Sequence, residues 1–153
     1  MKTNDNRQNT HNEIDRIFRV LLPTWNMAER PEQAALCHRM LDAMVEGGIA
    51  LCDAGTGIGK TYAYLVAGTV YSRFRAACGL ERKPILVSTS SIALQTAARD
   101  EYLPLLSDVL TEDGMIVQPL RAVIRKGKSH YVCDARLEQR LGQLDLQKKN
   151  WKA

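Results

Sequence analysis

Long apolar runs are missing from this sequence of 153 residues. No stretch comes near the roughly 20 apolar residues needed to span a bilayer, and the polar residues 1–12 lack the apolar segment of a signal peptide. Hydrophobic and charged fractions of 45% and 25% are ordinary for a soluble globular chain. We therefore predict a disordered N-terminus at residues 1–12, followed by a cytoplasmic domain that has no membrane partner.

Paired cysteines are missing as well. The four cysteines stand at positions 37, 52, 78 and 133 without a Cys-x-x-Cys pair, which argues against a self-contained zinc site. A reducing compartment also disfavours disulfides. Cys37 and Cys52 lie in apolar stretches and are predicted to be small core residues.

A net positive charge is missing from most of the chain and is confined to its last part. Residues 121–153 hold 9 Lys and Arg against 3 Asp and Glu, whereas residues 1–120 hold 12 against 14. This asymmetry predicts a polyanionic partner for the basic third. The alternative interpretation is a solvated helix face that carries lysines.

A glycine-rich stretch at 53–61 (Asp-Ala-Gly-Thr-Gly-Ile-Gly-Lys-Thr) follows a short apolar run and leads into a helix-like segment. This order is typical of a phosphate-binding P-loop, or Walker A motif. Glycines let the backbone wrap closely around phosphates, and the helix N-terminus adds positive potential. We predict that Lys60 contacts the β- and γ-phosphates and that Thr61 ligates Mg²⁺, which makes these two residues the catalytic candidates. The predicted nucleotide-binding residues of the stretch are Ala54, Gly55, Thr56, Gly57, Ile58, Gly59, Lys60 and Thr61.

Alternating helical and extended patterns predict an α/β fold. Apolar spacing and capping residues predict helices at 13–22 (ended by Pro23), 31–45, 62–75, 92–102 (ended by Pro104) and 134–146. Short apolar runs predict strands at 49–52, 84–89 and 120–125. Residues 105–117 predict a short helix, a turn at Asp113-Gly114 and an irregular strand. Strands separated by helices favour a parallel sheet flanked by helices.

Three further motifs surround the glycine-rich stretch. They are Arg-Pro-Glu-Gln at 30–33, Val-Ser-Thr-Ser-Ser-Ile-Ala-Leu-Gln at 87–95 and Lys-Gly-Lys-Ser-His-Tyr-Val-Cys at 126–133. Together with residues 53–61, and in the same order, they resemble the N-terminal part of superfamily 2 DNA helicases of the DinG/XPD type, the iron–sulfur branch. The resemblance runs from about residue 14 to residue 133.

The resemblance implies a RecA-like P-loop NTPase fold, here an incomplete first motor lobe at 13–125 followed by the start of a truncated iron–sulfur insertion at 126–153. It implies ATP and Mg²⁺ as cofactors and single-stranded DNA as a partner. Arg30 and Gln33 match the family element whose Gln contacts adenine, and Cys133 matches the first of four [4Fe–4S] ligands. The family segment that touches the DNA strand is matched at Ser88, Thr89, Ser90 and Gln95, and Lys126 and Lys128 add positive charge for nucleic acid.

The sequence also departs from the family pattern. Asp53, Ile58 and His130 replace other family residues, and Ala54 stands where a P-loop usually opens with Gly. No Asp-Glu-x-His box, second motor lobe or further cysteine follows, so a cluster is expected only in a longer parent chain. We predict the ATP-binding portion of a DNA helicase, unable to hydrolyse ATP without the remainder of the helicase chain.

Two other hypotheses stay open. One is a small stand-alone P-loop nucleotide-binding protein or kinase, which explains the glycine-rich stretch and the length but not the flanking motifs. The other is a non-catalytic protein that binds nucleic acid through its basic tail, which leaves Gly-Lys-Thr without a role.

Overall fold

The computed structural model describes the backbone of residues 2–151 and the side chains of residues 5–144. Its α-helices are α1 (Lys2–Arg16), α2 (Leu22–Thr24), α3 (Pro31–Glu46), α4 (Lys60–Ala77), α5 (Ile92–Ala97), α6 (Leu103–Glu112) and α7 (Asp134–Trp151). Two π-helical turns, Ile17–Leu21 and Ala98–Tyr102, join α1 to α2 and α5 to α6, and Lys128–His130 form a 3₁₀ turn. The chain divides into two compact units between residues 122 and 123.

The predicted α/β fold with a parallel sheet is wrong. About 64% of the chain is helical, and the described residues 2–151 contain no strand. The expected strands at 49–52, 84–89 and 120–125 have no regular secondary structure. The side chains of Ile49, Leu51 and Leu86 in these segments are 95%, 96% and 92% exposed. A strand is held by hydrogen bonds to a neighbouring strand, so an apolar run without such a neighbour stays outside a sheet.

The two prolines that were expected to end helices lie inside longer helical segments. Pro23 lies in α2 and Pro104 in α6, and each is the second residue after a π-helical turn. Proline lacks an N–H and its ring clashes with the carbonyl four residues earlier. A π turn widens the backbone at that position, and the helix therefore continues past the proline.

The N-terminal segment is also more ordered than the sequence indicated. Residues 1–12 were predicted to be disordered, yet α1 begins at Lys2. Thr10 is buried, and its hydroxyl donates to the carbonyls of Asn6 and Arg7 at 2.9 and 2.7 Å. Residue 1 and the side chains of residues 2–4 lie outside the described residues, as do residues 152–153 and the side chains of the basic segment 147–151.

The first unit is a helical bundle built on α4. Helix α4 packs against α3, α1 and α6, and its small residues allow close approach. A Cβ on Gly68 would come within 3.1 Å of the Ile85 side chain, so the chain crosses α4 closely at this point. The buried apolar core contains Ile14, Ile17, Phe18, Leu21, Leu22, Ala34, Leu36, Cys37, Leu41, Tyr62, Ala63, Val66, Ala67, Val70, Leu106, Val109 and Leu110.

The two ends of α3 follow the sequence closely. Helix α3 begins at Pro31, whose missing N–H is harmless in the first turn. It ends at Glu46 and is capped by Gly47, which has the left-handed φ of +67° that glycine adopts readily. The predicted turn at Asp113-Gly114 is confirmed by a φ of +74° at Gly114.

The second unit contains the 3₁₀ turn and α7. Val123 and Val132 are strongly exposed, and Leu137, Leu141 and Leu144 of α7 are about half exposed. The described part of α7 therefore presents apolar side chains to its surroundings. Across residues 2–151, none of the helices has the length and apolar character required to cross a membrane.

Candidate functional site

The loop at residues 53–59, called the glycine loop below, enters α4 directly. Gly57 and Gly59 have φ of +84° and +83°, in the left-handed region where a side chain is strained. Gly59 is the N-cap residue of α4, and its carbonyl accepts the Ala63 N–H at 3.3 Å. The loop therefore depends on glycine at two positions just before the helix begins.

Lys60 folds back over the glycine loop. Its Nζ donates to the carbonyl oxygens of Ala54 and Gly55 at 2.9 and 2.7 Å, although the residue is exposed. Thr61, in the first turn of α4, is partly exposed. The ammonium group is thus held at the opening of the loop by two neutral carbonyl oxygens, which an anion can replace.

The loop backbone leaves its donors free for a ligand. Among the described residues, the N–H groups of 54–59 have no backbone acceptor. Gly55, Thr56 and Gly57 are exposed. Exposed N–H groups next to a helix N-terminus and a lysine form the chemical environment that phosphate oxygens prefer.

Two side chains from the start of α3 reach the glycine loop. Arg30 Nη1 donates to the Gly57 carbonyl, and Gln33 Nε2 donates to the Gly59 carbonyl at 2.6 Å. Arg30 is exposed, whereas Gln33 is only 5% exposed. The structure therefore brings the Arg-Pro-Glu-Gln element to the glycine loop, as the sequence suggested, but it directs the Gln33 amide at the loop backbone.

The segment at 88–95, called the serine turn below, is held by its own neighbours. Ser91 Oγ accepts the Leu94 N–H at 3.2 Å and caps α5, and Thr89 Oγ1 accepts the Ser91 N–H at 3.2 Å. Gln95 Nε2 donates to the Thr89 carbonyl at 3.3 Å, while its Oε1 is buried without a partner among the described residues. Ser88 and Ser90 are exposed and Thr89 is partly exposed, so the turn presents hydroxyl groups at the surface.

The Lys-Gly-Lys segment lies in the second unit. The Lys126 N–H donates to Tyr131 Oη at 3.1 Å, and Lys128 begins the 3₁₀ turn. Cys133 is exposed, and its carbonyl accepts the Leu137 N–H at 2.9 Å as α7 begins.

The described residues alone do not supply the ligands of a [4Fe–4S] cluster. Among the described residues, no group of three or more His, Cys, Asp or Glu is placed to hold a metal ion. A cluster needs about four thiolate ligands, and no cysteine follows Cys133 in the sequence. Of the other cysteines, Cys37 is a core residue as predicted, and burial raises the pKa of its thiol. Cys52 is exposed, contrary to the prediction.

A polar cluster between α1 and α3 was not foreseen. His11 Nδ1 and His38 Nδ1 lie 2.7 Å apart, His11 Nε2 lies 3.1 Å from Asp42 Oδ1, and His38 Nε2 lies 3.3 Å from Asp15 Oδ1. Arg7 Nη2 donates to Asp42 at 2.6 Å. The signal was present in the sequence, because Arg7, His11 and Asp15 are spaced by four residues, as are His38 and Asp42, which places each set on one helix face.

The charges in this cluster influence the protonation of Asp42. Burial acts to raise the pKa of Asp42, but the hydrogen bond from Arg7 and the charges of His11 and Arg7 outweigh it and hold the pKa below its usual 3.8. A second ion pair ties α1 to α4: the hydrogen bond to Glu13 raises the pKa of Arg73, whose Nη2 lies 2.7 Å from Glu13 Oε1. Both contacts fix α1 on the bundle that carries the glycine loop.

Comparisons with known proteins point to one group of relatives. No protein-family model matches the chain, and no solved structure matches it. The chain is 32% identical over 131 residues to the 3'-5' exonuclease DinG of Bacillus subtilis, which covers 86% of this chain and 13% of that protein. It is 34% identical over 110 residues to the ATP-dependent DNA helicase YoaA of Escherichia coli, covering 72% and 15%.

A third relative, the ATP-dependent helicase DinG of Mycobacterium tuberculosis, is 39% identical over 120 residues, covering 78% of this chain and 17% of that protein. The chain thus spans less than a fifth of the length of these three relatives. Over most of its own length, it is homologous to a segment of the DinG-type helicases.

Proposed function

We propose that this chain forms the ATP-binding part of an ATP-dependent DNA helicase and that the glycine loop holds the phosphates of ATP. The observation that carries the proposal is the position of Lys60, whose ammonium group closes over a loop of free N–H donors at the start of α4. The names of the helicase relatives state ATP dependence, and the contacts around Lys60 suit a polyphosphate.

In this proposal Lys60 exchanges two neutral acceptors for phosphate oxygens. Its Nζ leaves the carbonyls of Ala54 and Gly55 and contacts the β- and γ-phosphates, so that attraction to anionic oxygens replaces two hydrogen bonds to neutral oxygens. The 18-residue helix α4 directs its positive end at the same place. The Thr61 hydroxyl, one residue into α4, is the protein group that would hold Mg²⁺, which supplies charge neutralisation at the phosphates.

We propose further that the chain binds ATP without hydrolysing it. Phosphoryl transfer needs an acidic residue that holds the metal and a group that positions the attacking water. The sequence contains no Asp-Glu-x-His box. The remainder of a helicase chain is therefore the partner expected to supply hydrolysis.

DNA is the second proposed ligand. Exposed hydroxyls of Ser88 and Ser90, the partly exposed Thr89 and the amide of Gln95 suit contacts to a single-stranded phosphate backbone, and Lys126 and Lys128 supply charge in the second unit. For a single strand, each lysine that contacts a phosphate contributes about 0.7 to the slope of log K against log salt. The Lys126→Ala/Lys128→Ala double variant is expected to lower this slope by about 1.4, measured by fluorescence anisotropy of a labelled oligonucleotide.

A fluorescent ATP analogue tests the nucleotide site. Lys60→Ala is expected to weaken binding by tenfold or more, about 1.4 kcal/mol, because it removes the charge at the mouth of the loop. Lys83→Ala, a matched control at an exposed lysine outside the loop, is expected to bind as the unaltered chain does. Equal affinity of the Lys60→Ala variant and the control would contradict the proposal.

A further inference from the structure

Two histidines of the first unit meet where α1 packs against α3. The Nδ1 atoms of His11 and His38 are 2.7 Å apart, the ring centres are 4.9 Å apart and the ring planes differ by 24°. The N···N distance and the two ring radii together make up the whole distance between the centres, so the rings meet edge to edge. A hydrogen bond that lies close to both ring planes is therefore the contact that joins them.

The outer ring nitrogen of each histidine faces a carboxylate. His11 Nε2 lies 3.1 Å from Asp42 Oδ1, and His38 Nε2 lies 3.3 Å from Asp15 Oδ1. An ionised carboxylate can only accept a hydrogen bond, so each Nε2 carries a proton. The hydrogen bond at one ring nitrogen sets the state of the other, and only the protons of the two Nδ1 atoms remain to be assigned.

The contact between the two Nδ1 atoms has room for one proton. Without a proton, two lone pairs would face each other at 2.7 Å, and with two protons, two N–H groups would collide. One proton supplies a donor and an acceptor. The pair then holds three protons on four ring nitrogens, which is a single positive charge, because a neutral imidazole carries one proton and a charged imidazole carries two.

The carboxylates beside the pair are shared with arginines. Asp42 also accepts from Arg7, which lies 2.7 Å from Glu46 as well, and Asp15 lies 3.5 Å from Arg19. Helix α4 packs against both α1 and α3, but its charged side chains make their described contacts elsewhere: Lys60 with the glycine loop, Arg73 with Glu13 and Arg75 with the Glu81 carbonyl. The two rings are 22% and 24% exposed. A second proton on the pair would therefore add a charge in a partly shielded place whose nearest carboxylates are already in use.

We propose that His11 and His38 form a proton-sharing pair, and that this pair makes the contact between α1 and α3 sensitive to pH. In the folded chain the pair holds one proton more than two neutral rings do. In the unfolded chain two separate histidines together hold less than one such proton above about pH 6.5 and more than one below it. Unfolding thus releases a proton at higher pH and takes one up at lower pH, so the stability that the pair contributes decreases on both sides.

NMR of the ring nitrogens in the ¹⁵N-labelled chain tests the sharing directly. A free histidine changes its charge between about pH 5 and pH 8, whereas the pair is expected to titrate in two separate steps. Between these steps, both Nε2 atoms are expected to be protonated and both Nδ1 atoms to be intermediate between the protonated and unprotonated forms. His130, exposed in the second unit, is the internal control with a single step. A single common step for His11 and His38, or two unprotonated Nδ1 atoms at about pH 6.5, would overturn the proposal.

Urea denaturation at a series of pH values tests the effect on stability. The unfolding equilibrium constant of the unaltered chain, divided by that of the His11→Gln/His38→Gln variant, is expected to be smallest near pH 6.5. It is expected to rise on both sides by up to about tenfold per pH unit, the limit for a difference of one proton. His130→Gln, the matched control, is expected to keep the pH dependence of the unaltered chain. A ratio that stays constant between about pH 5 and pH 8 would overturn the proposed pH sensitivity. If the double variant failed to fold, the NMR titration, which needs no variant, would still decide whether the pair shares a proton.

Discussion

The glycine loop and the serine turn both precede a helix, but they are fixed in opposite ways. The glycine loop is held by Arg30 and Gln33, which lie 27 and 26 residues away in the sequence from the glycines they contact. Every hydrogen bond described for the serine turn joins residues at most six positions apart. The shape of the loop therefore depends on the packing of α3 against α4, whereas the shape of the turn is local.

The largest expected effect comes from loosening that packing. Leu41 of α3 is fully buried, and Leu41→Ala is expected to lower the free energy of unfolding by about 2–5 kcal/mol, since it leaves a cavity in the core. Leu86→Ala changes a side chain that is 92% exposed and is expected to remain within about 0.5 kcal/mol of the unaltered chain. Urea denaturation measures both variants. Equal losses of stability in the two variants would contradict the assignment of Leu41 to the core and of Leu86 to the surface.

The next largest effect is a difference in stability between substitutions at Gly57 and at Gly59, two glycines of the loop. Gly57→Ala and Gly59→Ala each place a side chain on a residue with left-handed backbone, which is expected to lower the free energy of unfolding by about 1–2 kcal/mol. Only at Gly59 does the new Cβ overlap Gln33, whereas at Gly57 nothing lies within 4 Å. Gly59→Ala is therefore expected to be the more destabilising variant in urea denaturation.

A double variant controls for the overlap. Adding Gln33→Ala to Gly59→Ala is expected to recover part of the lost stability, because the amide no longer occupies the space of the new Cβ. If Gly57→Ala and Gly59→Ala were equally destabilising, the close contact between Gln33 and the loop would be contradicted.

A smaller effect is expected from the local capping of the serine turn. Ser91→Ala removes the cap of α5 and is expected to destabilise the chain by about 1 kcal/mol, without a change in nucleotide affinity. Ser90→Ala, at the exposed neighbour that makes no cap, is the control and is expected to leave stability unchanged. Chemical denaturation and nucleotide titration of both variants check this. Weaker nucleotide binding in Ser91→Ala would show that turn and loop are coupled.

The smallest effect concerns the support of α3 by α1. The pKa of Asp42 is held below its usual 3.8 in the folded chain, so its stabilising contribution is present above about pH 4 and disappears as the pH falls through the lowered value. Asp42 and Arg7 are each about one third exposed, which limits the contribution to about 1 kcal/mol or less. Asp42→Asn is expected to remove the loss of stability that the unaltered chain shows as the pH falls below about 4, as followed by urea denaturation at a series of acidic pH values. An unchanged acid dependence would contradict the assignment.

The same contrast between local and distant contacts explains how far the sequence could predict the structure. Helices α3 and α4 were predicted within two residues of their bounds, because helical periodicity and caps such as Pro31 and Gly47 act within the helix itself. Helix α7 begins where it was predicted, at Asp134, but continues five residues beyond the predicted end at 146. The strands failed because pairing requires a partner that an apolar run such as 84–89 does not specify. Pro23 and Pro104 were wrongly expected to end helices, because the sequence does not show the π-helical turns that allow the helical segment to continue past each proline.

The candidate site shows a similar division. The order of the motifs in the sequence indicated that Arg30, Gln33 and the loop belong together, and the structure joins them. The direction of the Gln33 amide was not predictable, since it depends on the distance between α3 and Gly59. The His11–His38 contact was missed for the same reason, although the four-residue spacing on each helix was visible in the sequence.

The most direct test of the central claim is a titration of the ¹⁵N-labelled chain with Mg·ATP, followed through the backbone amide resonances. The claim that the glycine loop receives the phosphates predicts the largest shifts at Gly55, Gly57, Gly59 and Lys60, and little change at residues 88–91 in the serine turn. Shifts confined to residues outside the loop, with the resonances of the three glycines unmoved at saturating ATP, would contradict it.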